Sequence, residues 1–420
     1  MLNLVSNRRI TTIAKNILIK LGIEDKSIVK TFKLFVSRYS DVIKVLYHYK
    51  MLKHDPLYSF HMLESGLKDN PMGEFNGERR NIIERIFKAY EKAKKDQESV
   101  AFPYQVHGLW ESILKRSFYD FMKAFHNRDY KAADRILSNF FRDKISLGLC
   151  DRYENLNLKL HKIDFINVVV AKYRLWEEFK REETNLEPLP PVGNPFGYII
   201  EGKLTNPDAL RHIYYADRIE TLLDGVKDPI IAEIGGGFGG LAYFLSKRGF
   251  KYIDFDIPEV CIIASYYLLN ALPEKNIKLY GEYDIRNIRN GADQYDILIM
   301  PNFEIQKLPE LSVDMFFNSY SFTEMDEWTV REYYRQIERT CRKYFLHVNN
   351  EDDSVFISSE GKEIRYNIKD IELSKKIFKL IYRIPEMLEP FDTRYELIPC
   401  VRSKNYEYLY ERRSAVREGI

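Results

Sequence analysis

Sulfur is scarce in this chain. Its 420 residues hold four cysteines, Cys150, Cys261, Cys341 and Cys400. They are dispersed and form no C-x-x-C pair, which excludes a zinc ribbon or a disulfide framework and fits a reducing cytoplasm. Charge of one sign is missing too: 64 Lys and Arg stand against 62 Asp and Glu, a net charge of +2. Bulk electrostatics therefore favours neither nucleic acid nor an anionic membrane. No uninterrupted apolar run is long enough to span a bilayer, and Arg8, Arg9 and Lys15 break what would be the core of a signal peptide. A cytoplasmic protein is expected. Internal repeats and low-complexity tracts are absent, and His48, His54, His61, His107 and His126 show no convergent ligand spacing.

What the chain has is aromatics, 30 Tyr and 26 Phe, and one glycine-rich stretch on which the rest is organised. Ile230, Ile231, Ala232 and Ile234 form a short apolar run, the pattern of a strand buried on both faces. Gly235, Gly236, Gly237, Gly239 and Gly240 follow, then Leu241, Phe244 and Leu245 on one helical face, then Tyr252, Ile253 and Phe255 leading to Asp256. Strand, glycine turn, helix, strand and acid make half of a nucleotide-binding βαβ unit. Gly235, Gly237 and Gly240 satisfy G-x-G-x-x-G, so a dinucleotide has to be weighed. Glu233 argues against it. A carboxylate at that strand end repels a pyrophosphate and suits a cationic ligand such as the amino and sulfonium side of S-adenosylmethionine. Asp256, about 20 residues past the first glycine, suits a ribose diol.

Before this stretch the chain reads as helices. Phe32, Phe35, Tyr39, Ile43 and Leu46 recur at helical spacing; so do Ile83, Phe87 and Tyr90. Trp110, Ile113, Leu114, Phe118, Phe121 and Phe125 predict a further helix, Leu137, Phe140 and Phe141 the end of another, and Ile166, Val169, Val170, Tyr173 and Trp176 the last. Prolines and glycines from Pro188 to Gly197 then interrupt regular structure and give the best domain boundary. Three parts are expected: an all-α region over 1–183, which shapes the acceptor site or an oligomer interface, a linker and lid helix over 184–229, and an α/β domain over 230–420. Leu210, Ile213, Tyr214, Ile219 and Leu222 predict the lid helix, and Arg211, His212 and Tyr215 are its candidates for facing a substrate.

Beyond Asp256, Pro258 opens a helix, Ile277, Leu279 and Tyr280 predict a short strand, and 281–294 a loop. Ile297 to Asn302 and Val313 to Ser319 read as buried strands, Val330 to Cys341 as a helix, Tyr344 to Val348 as a fifth strand. Tyr395–Val401 and Tyr406–Tyr410 predict an antiparallel hairpin. Ligands in open α/β sheets sit at the carboxyl ends of strands, where Glu233, Asp256, Asn302 and Asn318 would converge.

The pair EIGGGFGG and FDIPEV resembles the glycine and acidic motifs of class I S-adenosylmethionine-dependent O-methyltransferases. With PNFEIQKLP, SVDMFFNSYSFTEMD and, upstream, VGNPFGY and RHIYYADRIETL, the chain resembles the sugar O-methyltransferase family of bacterial surface-polysaccharide gene clusters over roughly residues 100–415. The resemblance implies a Rossmann-like, seven-stranded class I methyltransferase sheet with a C-terminal antiparallel hairpin. It also implies methyl transfer from S-adenosylmethionine to a saccharide hydroxyl on a nucleotide-linked, lipid-linked or polymeric acceptor. Cofactor contacts are then expected from Glu233, Gly235, Gly236, Gly237, Asp256, Ile257, Asn302, Phe303, Asn318 and Ser319. In plant-type O-methyltransferases the base is a histidine shortly after the fourth strand; here Thr323 or Glu324 stands near that place. Glu324 is the candidate base and His347 the alternative. No metal is expected; a metal-assisted route would draw on Glu351, Asp352 and Asp353. Two other readings stay open: a dinucleotide-dependent oxidoreductase acting on a nucleotide sugar, and a catalytically silent methyltransferase-like subunit that binds a partner.

Overall fold

The structure, a computed structural model, describes residues 42, 44–150, 153–352, 354–357, 363–389 and 405–413. Helices α1 (Phe60–Gly66), α2 (Gly77–Gln97), α3 (Gly108–Ser117), α4 (Tyr119–His126), α5 (Tyr130–Leu137) and α6 (Lys159–Phe179) come first. A hairpin of β1 (Tyr198–Ile200) and β2 (Lys203–Thr205) leads into α7 (Pro207–Leu222). Then follow β3 (Ile230–Ile234), α8 (Gly240–Lys247), β4 (Lys251–Asp256), α9 (Pro258–Ala271), β5 (Ile277–Leu279), β6 (Ile297–Pro301) and β7 (Val313–Ser319). The chain continues through α10 (Glu327–Thr340), β8 (Cys341–Asn350), a ribbon of β9 (Ser354–Ile357) and β10 (Glu363–Tyr366), then β11 (Phe378–Pro385) and β12 (Asn405–Arg412).

Eight strands form one sheet in the order β5-β6-β4-β3-β7-β8-β12-β11. Neighbours from β5 to β8 are parallel, and β12 runs antiparallel to both β8 and β11. Without β5 this is the seven-stranded class I methyltransferase order; β5 adds an outer strand beside β6. Strand alternation sorts side chains onto two faces. Ile231, Ile299, Met315 and Phe317 join one core with α7, α8 and α9. Ile230, Ala232, Leu298 and Phe316 join the other with α10. Strand order reverses at β3, between β4 and β7, which opens a crevice at the carboxyl ends of those strands.

The N-terminal helices form a second layer on the first face, and their apolar side chains belong to the same core as α7–α9. The buried Arg79–Asp134 pair, with Arg79 Nε 2.9 Å from Asp134 Oδ1, joins α2 to α5, and Tyr266 of α9 donates to the same oxygen at 3.2 Å. Asn76 caps α2 and Asn206 caps α7, each accepting an N–H three residues on, and Pro207 and Pro258 occupy first helical turns where no donor is lost.

Two expectations change. The helix predicted across Trp110–Phe125 breaks at Phe118, so Trp110 and Phe125 serve different surroundings; Phe125 stacks on Phe87 of α2 at 4.0 Å. The strand partner of β12 is β11 at 378–385, whereas Tyr395–Val401 lies outside the described residues, as do Phe32, Phe35, Tyr39 and Ile43. The proline-rich stretch is well packed: Leu186, Leu189, Val192 and Phe196 are buried, and Gly197 donates to Gly66 O at 3.1 Å.

That last contact is testable. A Cβ on Gly197 would stand 2.0 Å from Thr205 O, a backbone atom that cannot swing away. Gly197→Ala is expected to destabilise the chain by about 2 kcal/mol or more in urea unfolding, and an unchanged midpoint would show that the hairpin yields.

Candidate active site

The crevice at the strand ends is a cleft of about 1030 Å³, its open mouth included. Its floor is the turn between β3 and α8. Gly235, Gly237 and Gly239 have φ of 76°, 62° and 86°, a region that side chains other than glycine's rarely enter. A Cβ on Gly235 would meet Ser321 Oγ at 2.3 Å, and one on Gly236 would meet Asp254 Oδ1 at 2.3 Å. The turn is therefore glycine because backbone, hydroxyl and carboxyl groups crowd one point.

Three carboxyl groups gather there. Glu233 ends β3 and accepts a hydrogen bond from Tyr252; burial lifts its pKa to about 8, and nearby Asp256 adds to the rise. Asp256 accepts from the N–H groups of Gly237 at 3.0 Å and Ile257 at 2.7 Å, yet burial outweighs both and raises it to about 7. Asp254 faces Glu233 across the register of β3 and β4. It is fully buried, and burial pushes its pKa well above the carboxylate range against the pull of the Gly236 backbone. Burial raises all three, even though Arg211 favours the charged form of Glu233. Asn302, at the tip of β6, also lines the cleft, and its buried Oδ1 has no partner.

The opposite wall is built from two parts of the chain. Glu324 sits in the turn Ser321–Glu324 after β7 and lines the cleft. Burial raises its pKa to about 6 against the pull of Trp110, whose Nε1 donates to Glu324 Oε2 at 2.9 Å. Helix capping falls to Asp326 instead, which accepts Thr329 N–H at 2.9 Å. Asp326 also bonds His107 Nε2, while His107 Nδ1 lies 2.8 Å from Gln105 O. An acceptor at each ring nitrogen favours the protonated form of His107, and the Asp326 hydrogen bond raises its pKa. The segment from Pro103 to Trp110 thus roofs the cleft.

From α7, Arg211 and His212 line the cleft as expected. Arg211 lies over the ring of Tyr320 at 4.6 Å. Tyr320 itself has φ 64° and donates to Glu386 at 2.5 Å. His212 is neutral, its pKa lowered to about 3 by burial and by Arg211.

Glu233, Gly235, Gly236, Gly237, Asp256, Ile257, Asn302 and Ser319 are brought together with Glu324. Four candidates are not. His347 is buried within the sheet, stacked on Tyr408 at 4.5 Å, and burial lowers its pKa to about 3, so it is a core residue. Phe303 is buried with its edge on Tyr280, and Tyr215 packs against Phe317 behind the cleft. Asn318 supports the floor from below: it donates to Ile234 O at 2.8 Å and accepts from Asn349 at 2.8 Å. Glu351 is taken up by Arg383 and Tyr408, and Asp353 lies outside the described residues. Reasoning from sequence missed His107, Trp110, Tyr320 and Tyr333 as cleft residues. Only Tyr320, next to the predicted strand end, carried a positional signal.

No family model matches the chain, and none of the curated proteins does. Solved structures overlap it over about half its length. PH0226 from Pyrococcus horikoshii is 14% identical, with 48% of this chain and 92% of that one covered at a TM-score of 0.29. The glycopeptide N-methyltransferase MtfA in complex with sinefungin is 12% identical, covering 47% and 84% at 0.30. The mitomycin 7-O-methyltransferase MmcR is 14% identical, covering 49% and 57% at 0.28. Strand order, rather than these overlaps, defines the fold as Rossmann-like of the class I methyltransferase type.

The His107–Asp326 link gives a pH-dependent prediction. The folded pKa of His107 lies above its ordinary value of 6.5. The stabilisation is then complete below that ordinary value and is lost as pH rises through the raised folded one. The unfolding free energy of wild type minus that of His107→Gln is expected to be about 1–2 kcal/mol near pH 6 and to shrink by pH 9; a pH-independent difference would rule out a charged pair.

Proposed function

We propose that this protein transfers the methyl group of S-adenosylmethionine to a hydroxyl of a sugar or glycan, in the assembly of a bacterial surface polysaccharide in the cytoplasm. One observation carries the cofactor: a glycine cradle flanked by two carboxyl groups, Glu233 and Asp256, whose pKa values burial raises. A pyrophosphate would add negative charge to this cluster, whereas an amino acid's ammonium and a sulfonium would relieve it.

The residues present fit that cofactor. Glu233 would hold its ammonium group, Asp256 its ribose hydroxyls, and the orphaned Oδ1 of Asn302 would accept a hydrogen from its base. The bound cofactor supplies an electrophilic methyl carbon on a positively charged sulfur. Glu324 would take the proton of the acceptor hydroxyl. With a pKa near 6, Glu324 is mostly ionised at neutral pH yet basic enough to share a proton in the transition state. The walls align the acceptor and exclude water, the larger part of such catalysis.

Sugar as the acceptor rests on the sequence resemblance, and the aromatic roof supports it: the indole of Trp110 offers a flat face beside a carboxylate, a pairing suited to a polyol. In this reading residues 1–183 shape the acceptor side and the oligomer, 184–229 provide the lid and 230–420 the methyltransferase domain. Among the described residues no helix is long and apolar enough to cross a membrane.

Calorimetry tests the cofactor. S-adenosylhomocysteine is expected to bind, more tightly as pH rises from 6 to 9 because Asp256, near 7, and Glu233, near 8, must shed protons. Asp256→Asn is expected to weaken binding by about 1.5–3 kcal/mol. Tight binding of NAD without any response to S-adenosylhomocysteine would overturn the proposal.

A further inference from the structure

The helical region supplies one side chain that touches the proposed base directly. Trp110 opens the second half-turn of α3, and its Nε1 lies 2.9 Å from Glu324 Oε2. Its ring is fixed from behind. A Cβ on Gly148 would stand 3.3 Å from the indole, Gly148 has φ +85°, and the edge of Phe118 packs at a centroid distance of 6.5 Å. Glu324 Oε1 takes no hydrogen bond from a described residue, while both residues line the cleft.

We infer that Trp110 is a positioning residue for proton transfer, its indole N–H fixing one oxygen of Glu324 so that the other is left for the acceptor hydroxyl. This rests on the reading of Glu324 as the base. The ring is held by packing, and Glu324 is carried on the turn after β7. The hydrogen bond between them removes the torsional freedom that an isolated glutamate keeps. It also favours the ionised form, opposing the burial that raises Glu324 to about 6. The other charged or titratable groups lining the cleft are His107, paired with Asp326, on the same wall, Glu233 and Asp256 across it, Arg211 and His212 from α7, and the phenols of Tyr320 and Tyr333. None of them bonds Glu324.

The test reads the carboxyl group itself and needs no acceptor. Full-length protein carrying ¹³C at the glutamate side-chain carboxyls is titrated by NMR, with Glu324→Gln identifying the signal. Wild type is expected to show a midpoint near 6. Trp110→Phe should move that midpoint upward by roughly half a pH unit or more, because the ion loses its donor. Replacing Trp110 by β-(3-benzothienyl)alanine, which keeps the bicyclic shape and lacks only the N–H, should reproduce the rise. A midpoint unmoved in both variants overturns the proposal. So does a rise in Trp110→Phe alone, which would assign the effect to packing. S-adenosylhomocysteine binding is measured on the same samples. Its absence in wild type overturns methyl transfer, whereas binding with an unmoved Glu324 midpoint overturns only the role of Trp110.

Discussion

The cost of holding carboxyl groups in a dry crevice governs this structure. Glu233, Asp254 and Asp256 meet at the ends of two adjacent strands, with the Tyr252 phenol and the backbone of the glycine turn and of Ile257 as hydrogen-bond donors. Gly236 has to be glycine because Asp254 occupies the space its side chain would need. The polypeptide therefore concentrates acid groups at one point, where a ligand bearing positive charge would be favoured.

Around that point the packed layers seal the two faces of the sheet, helices α7, α8 and α9 one face and α10 the other. The chain leaves α2, passes over to the second face, where Tyr104 donates to Glu332 at 2.7 Å and packs on Tyr333, and then crosses the cleft mouth through His107 and Trp110. The N-terminal region is thus both a packing layer and a wall of the site. His107 joins the roof to α10 through Asp326, and Trp110 joins it to the turn after β7 through Glu324.

The floor of the site was legible in the sequence because it is local. A buried strand, a glycine turn and an acid lie within one βαβ unit, and their spacing follows from strand and helix geometry. Strand ends at Asn302 and Ser319 were legible for the same reason. The roof was not. His107 and Trp110 lie more than 200 positions from the residues they bond, and no periodicity marks a side chain whose partner is so distant. Helical spacing across Trp110–Phe125 masked the break at Phe118, since both halves keep apolar residues at the same interval. His347 shows the opposite failure. A histidine in a strand bordering the site has the right chemistry on paper, but strand alternation turns it into the aromatic stack with Phe345 and Tyr408. The outer strand β5 was predicted as a strand, yet nothing local says that it extends the sheet beyond β6.

The position of β12 has a consequence for how the chain assembles. It follows β11 in sequence but lies between β11 and β8, so β11 touches the sheet only through it. During synthesis β8 keeps an open edge, with Phe345, Leu346 and Val348 beside it, until residues 405–412 emerge and slot in. An unpaired, apolar edge is a template for association with another chain, and closing it depends on contacts of long sequence separation, which form slowly. The step at which this protein is most exposed to misassembly is thus the last strand insertion, at the far end of the sheet from β5.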